Sequence, residues 1–186
     1  MTTVDAIARH LAQDGAVLLP TETVWGLAAR ADSADGVAAI YALKGRDDGK
    51  PLAVCVSGRA QAQTLAEVPP AAARLMDAHW PGPLTLVLPV LRDADLHPQC
   101  TDGGRTVGLR CPDTHWRDAL CTRPLALTSA NRSGAPAAST QAEAERAFPG
   151  TPLLPDPDPD ASGLPTTIVR VDGDRTTVLR QGGLSL

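Results

Sequence analysis

The chain has 186 residues, 43% of them hydrophobic, the size of one compact domain able to bury roughly 70% of its unfolded surface. Its net charge of −4 weakens bulk attraction to a nucleic acid backbone, which needs many Lys and Arg contacts to phosphate. The longest strongly apolar run, residues 83–91, is far short of the roughly 20 residues of a membrane-spanning helix.

Val4, Ile7, Ala8, Leu11 and Ala12 recur at helical spacing, and Gly15 is placed to cap the helix they form. The opening residues include Asp5 and lack a basic start or a long apolar run, so no signal peptide is read there and a cytoplasmic location is expected. A strand follows over 16–19, and residues 20–27 then break the pattern. A second helix runs from Ser33, as N-cap, through Val37, Ile40 and Tyr41 toward Lys44, with Gly45 ending it. Residues 51–56 have the apolar density of a buried strand, and 70–80 read as a helix closed by Pro81-Gly82-Pro83. Strands are expected over 84–90, 106–110 and 125–128, and helices over 113–120 and 140–148. Strands over 167–171 and 176–180, joined by Asp172-Gly173-Asp174, read as an antiparallel hairpin, so the sheet should be mixed. Residues 155–160 alternate Pro and Asp and predict a stiff acidic loop.

Fifteen Arg and only two Lys are present, and both Lys, Lys44 and Lys50, fall in one seven-residue window. A Lys offers a slim, compact ammonium where Arg offers a broad fork, so this placement marks a local anion site. Lys44 is read as a charged group at a helix end, outside the core. Thr128-Ser129-Ala130-Asn131 leaves a strand and enters Ser133-Gly134, a donor-rich lining suited to phosphate oxygens. Pro20-Thr21-Glu22-Thr23-Val24-Trp25-Gly26-Leu27 puts hydroxyls, a carboxylate and an indole at a strand end, where α/β sheets bind ligands. The P-loop, dinucleotide, zinc-protease and serine-hydrolase signatures are missing. The histidines, His10, His79, His97 and His115, lack metal-ligand spacing, and no metal site is expected. The cysteines, Cys55, Cys100, Cys111 and Cys121, form no CxxC pair and read as free thiols, Cys55 as a buried small hydrophobe.

Taken in order, PTETVWGL at 20–27, the KxR element at Lys44 to Arg46, Lys50-Pro51-Leu52, WPGPLT at 80–85, the arginine-containing strand end at 107–112, TSANxSG at 128–134 and LRxG at 179–182 resemble the YrdC/TsaC family, the threonylcarbamoyl-AMP synthases. The resemblance covers nearly the whole chain. It implies a single α/β domain over 1–186, a twisted mixed sheet with flanking helices and a concave ligand pocket. It further implies condensation of L-threonine, bicarbonate and ATP into threonylcarbamoyl-adenylate and pyrophosphate, for the N6-threonylcarbamoyladenosine of tRNA. Lys44, Arg46, Ser129 and Asn131 fall on the family's tetrad that holds the triphosphate; Lys50, Thr106 and Arg180 fall on further ATP positions. Thr23, Arg110 and Thr166 fall on threonine positions, and Mg²⁺ would arrive carried with ATP. Downstream tRNA threonylcarbamoyl-transfer proteins are the implied partners, with at most a weak contact to tRNA. Trp25 stands where Tyr is common, Cys55 where many members carry a substrate-contacting His, and Thr166 where Ser is usual. The chain resembles the short branch that lacks a linker and extra domain. A non-catalytic RNA-binding module of the same fold is one rival, weakened by the net acidity and the few aromatics; a carbamoyl-phosphate-dependent adenylating module is another.

Overall fold

A computed structural model describes residues 3–45, 50–155 and 162–186. Strands β1 (Val17–Leu19), β2 (Gly26–Arg30), β3 (Ala53–Cys55), β4 (Leu84–Pro89), β5 (Thr106–Arg110), β6 (Leu125–Ser129), β7 (Thr167–Asp172) and β8 (Arg175–Arg180) form one sheet in the order β1-β2-β6-β3-β5-β4-β7-β8. The β3–β5 and β4–β7 pairs are parallel and the other neighbours antiparallel, so the sheet is mixed, as the terminal hairpin led us to expect.

Alternation along the strands gives the sheet two faces. One carries Leu27, Ala29, Val54, Leu86, Leu109, Ala126 and Val169, and is covered by Val37, Ile40 and Tyr41 of α2 (Ala34–Lys44) and Ala72 and Met76 of α4 (Pro70–His79). The other carries Val17, Leu19, Ala28, Cys55, Leu125 and Leu127. It is covered at one end only, by Ile7 and Leu11 of α1 (Val4–Ala12) and by Trp116 and Leu120 at α5 (Arg117–Leu120). Each fully buried Leu or Ile contributes about 1.5–3 kcal/mol, so this partial cover fixes α1 and α5 while leaving the rest of that face open.

Helix ends follow local chemistry. Ser33 Oγ accepts from Gly36 N at 3.0 Å, and Gly45 closes α2 with φ +58°. Thr140 and Glu143 form a capping box at the start of α6 (Gln141–Ala147). At α1 the positive-φ residue is Asp14, one position before the expected Gly15. The unread strand β2 is the main departure. Gly26-Leu27-Ala28-Ala29-Arg30 has little intrinsic strand preference, and it is pairing with β1 and β6 that makes it a strand. Helix α5 is shorter than the expected 113–120, and α3 (Arg59–Ala62) and a 3₁₀ turn (Pro98–Cys100) were not read. Apart from Pro155, the acidic 155–160 segment lies outside the described residues.

Candidate active site

Beyond α1 and α5 the half-covered sheet face opens into a cavity of about 700 Å³. Its floor is made of small side chains at Gly26, Ala53 and Thr85, with Leu127 and Ile168. A larger residue would fill it: a Cβ on Gly26 would stand 2.6 Å from Leu127 Cδ1.

The first wall joins the end of α2 to the exit of β6. Lys44 is the last residue of α2, where the helix carbonyls favour a cation. Its side chain is buried, at 4% exposure, which corrects the expectation of a charge outside the core. Nζ donates to Ser129 O at 2.6 Å, Asn131 O at 2.9 Å and Asn131 Oδ1 at 3.4 Å. The Lys44 carbonyl in turn accepts from Ser133 N at 3.0 Å. Ser129 Oγ donates to Asn131 Oδ1 at 2.6 Å, and Asn131 Nδ2 donates to Arg132 O and Ala135 O at 3.0 and 2.6 Å. Ser129 and Asn131 stand at the positions expected to meet phosphate, and their protons hold the loop, so the wall presents a cation and a shaped backbone.

The second wall joins the β1–β2 loop, the end of β5 and the β7–β8 hairpin. Arg110, 7% exposed, donates from Nη2 to Glu22 Oε1 and Thr23 Oγ1, each at 2.8 Å. Its Nε and Glu22 Oε2 are buried without a partner among the described residues, so the ion pair leaves hydrogen-bonding capacity on both members. Arg180 donates from Nε and Nη2 to Thr166 O at 3.1 and 2.9 Å, and from Nη2 to Thr166 Oγ1 at 3.1 Å. These partners are all neutral. Arg180 is exposed as a residue, and partial desolvation of its guanidinium first, then the charge of Arg110, holds its pKa below the ordinary value. Thr85 Oγ1 lies 2.9 Å from Thr166 Oγ1.

The fold therefore brings Thr23, Lys44, Lys50, Arg110, Ser129, Asn131, Thr166 and Arg180 around one cavity. Lys50 is exposed at its rim, and its carbonyl accepts from the Tyr41 hydroxyl at 2.9 Å. Thr106 does not line it: that residue starts β5, four positions before Arg110, on the same sheet face but outside the walls. Arg46 lies outside the described residues. Cys55 does not line the cavity either. It is fully buried one strand from Arg110, with Sγ 3.4 Å from Cys121 Sγ, and burial first, then the Cys121 hydrogen bond, raises its thiol pKa well above the ordinary value. That agrees with its reading as a small hydrophobe. Two participants were not singled out beforehand, Glu22 and Thr85. Each stood inside a recognised block, and only the hydrogen bonds above separate them from their neighbours.

Comparison with known proteins gives a consistent picture. The family model Sua5_yciO_yrdC, described as telomere recombination, matches residues 9–182. The chain is similar to the threonylcarbamoyl-AMP synthase of Bacillus subtilis, 37% identical over 183 residues, covering 96% of this chain and 53% of the relative. It is also similar to the threonylcarbamoyl-AMP synthase of Halorhodospira halophila, 40% identical over 146 residues, covering 76% of this chain and 75% of the relative. The solved structure of Pyrococcus abyssi Sua5 complexed with L-threonine superposes with a TM-score of 0.90 at 33% identity, covering 97% of this chain and 54% of that one. The chain thus spans about half the length of the Bacillus and Pyrococcus proteins it matches.

Proposed function

The chain belongs to the Sua5_yciO_yrdC family, and from that premise we propose that it condenses L-threonine, bicarbonate and ATP into threonylcarbamoyl-adenylate with release of pyrophosphate. The observation that carries the reading is the pairing of two cationic walls across one small-residue floor, Lys44 on one side and Arg110 with Arg180 on the other. A triphosphate fits the first wall, where a buried ammonium and the loop it fixes favour phosphate charge. An α-carboxylate fits Arg110, whose position Glu22 and Thr23 fix.

In this reading the threonine amine forms an N–C bond to bicarbonate, releasing water and leaving a carbamate. A carbamate oxygen then attacks the α-phosphorus of ATP, and pyrophosphate departs as the P–O bond breaks. Positioning contributes most: holding carbamate and nucleotide in one cavity replaces a bimolecular encounter, an effect worth roughly 7–11 kcal/mol in well-oriented systems. Lys44, Arg110 and Arg180 offset the negative charge that gathers as the two anions meet. Mg²⁺ enters as part of the nucleotide substrate, carried on its phosphates. Lys50 at the cavity rim adds a further cation for the nucleotide, and Arg46 and Thr106 are assigned to ATP by the family resemblance alone. The product passes to tRNA threonylcarbamoyl-transfer proteins in the cytoplasm, with no more than a weak contact between this chain and tRNA.

The test is pyrophosphate release from ATP by the purified chain. Release should require both L-threonine and bicarbonate, and release indifferent to threonine would overturn the assignment.

A further inference from the structure

The hydroxyls of the second wall can be followed proton by proton. Thr21 Oγ1 donates to Val24 O at 2.6 Å, so in its 2.9 Å contact with Thr23 the Thr23 hydroxyl is the donor. Thr23 Oγ1 also accepts from Arg110 Nη2. Its one proton is engaged, and what it can still offer a ligand is a lone pair. The opposite side differs. Thr85 and Thr166 bring two hydroxyl protons to a single 2.9 Å contact, and neither hydroxyl has another acceptor among the described residues. One O–H is therefore uncommitted, on side chains that are 5% and 6% exposed and that both line the cavity.

Arg180 favours one direction. Its Nη2 donates to Thr166 Oγ1, so a chain running Arg180 N–H to Thr166 O–H to Thr85 O–H lets each group donate once and accept once. Such chains polarise in one direction and strengthen together. In the direction that this cooperativity favours, the free proton belongs to Thr85. In the β4–β5 register Thr85 stands directly opposite Arg110, on the same face and within roughly 5 Å at Cβ. A lone hydroxyl donor beside a guanidinium suits an anionic oxygen pair, whereas the Thr23 lone pair across from it suits a donor.

We propose that Thr85 is a further substrate-contacting residue, whose hydroxyl joins Arg110 in binding the α-carboxylate of the amino acid. This deepens the reading above and rests on it for the identity of the amino acid.

The test is calorimetric titration, which needs no turnover, of wild type, Thr85→Val and Thr85→Ser with L-threonine in the presence of a non-hydrolysable ATP analogue, and with that analogue alone. Thr85→Val should weaken L-threonine about tenfold or more, leave the analogue within about twofold, and be rescued by Thr85→Ser. With L-threoninol, which lacks the carboxylate, wild type and Thr85→Val should bind alike. Unchanged threonine affinity in Thr85→Val overturns the proposal. So does an equal loss for both ligands that Ser fails to rescue, which marks a purely structural tie, or a Val penalty that persists with threoninol. Wild type that binds L-threonine yet releases no pyrophosphate defeats the reaction assigned above and leaves the Thr85 contact standing; wild type that binds no threonine defeats the contact.

Discussion

The two walls of the cavity are built on opposite plans. Around Lys44 the polar groups are turned inward: ammonium, hydroxyl and amide are engaged with one another and with the β6 exit loop. Around Arg110 and Arg180 they are left incomplete, with orphaned atoms on the Arg110–Glu22 pair and a guanidinium bound only to neutral oxygens. A wall that satisfies itself is rigid before any ligand arrives and offers shape and charge. A wall that does not satisfy itself is completed by the ligand, and its selectivity rests on what it lacks.

That contrast can be broken by substitution. Lys44→Ala should have the largest effect, lowering threonine-dependent pyrophosphate release by roughly 100-fold or more. It should also cost about 2 kcal/mol in denaturant unfolding, because three acceptors lose their donor together. Loss of activity without loss of stability there would show that the wall does not depend on its ammonium. Arg110→Lys keeps a charge near Glu22 but loses the fork, so KM for threonine should rise roughly 30-fold while stability moves by no more than about 1 kcal/mol. Gly182→Ala acts on the incomplete wall from behind. Its Cβ would stand 2.1 Å from Pro165 O and 2.4 Å from the Thr166 carbonyl carbon, and relief must displace Thr166. A loss of about 2 kcal/mol is expected, with KM for threonine raised in steady-state assays.

The smallest effect lies away from both walls. Asp32 accepts from Arg30 Nε and Nη2 at 2.9 and 2.8 Å and also pairs with Arg123. The Arg30 hydrogen bond, before all else, holds its carboxyl below the ordinary 3.8. A carboxyl depressed in the folded state stabilises above its unfolded pKa and loses that contribution as pH falls through the folded value. Asp32→Asn should therefore cost about 1 kcal/mol or less near neutrality, and the gap in melting temperature from wild type should close at acid pH, with activity unchanged throughout.

Much of this was legible in order and spacing. Helix α2 could be read because Ser33, its apolar stripe and Gly45 all say the same thing locally, and α6 because Thr140 and Glu143 do. Strand β2 could not, since Ala28 and Ala29 become strand residues only when β1 and β6 flank them. The site shows the same division. Lys44, Arg110 and Arg180 were recognisable as cations in recognisable blocks, but whether each is matched by protein or left for a ligand depends on atoms far apart in sequence, such as Arg110 with Glu22 and Arg180 with Thr166. Thr85 sat in plain view within WPGPLT, and nothing local distinguishes its hydroxyl from that of Thr128.

The strand order carries a consequence for truncation. Lys44, Arg110 and the β6 exit loop all precede Thr166 and Arg180 in the chain, and the hairpin that brings these two joins the rest of the sheet only through β4, at one edge. A chain cut before this hairpin would keep Lys44, Ser129 and Arg110 and lose Thr166 and Arg180, and with them one side of the amino-acid wall.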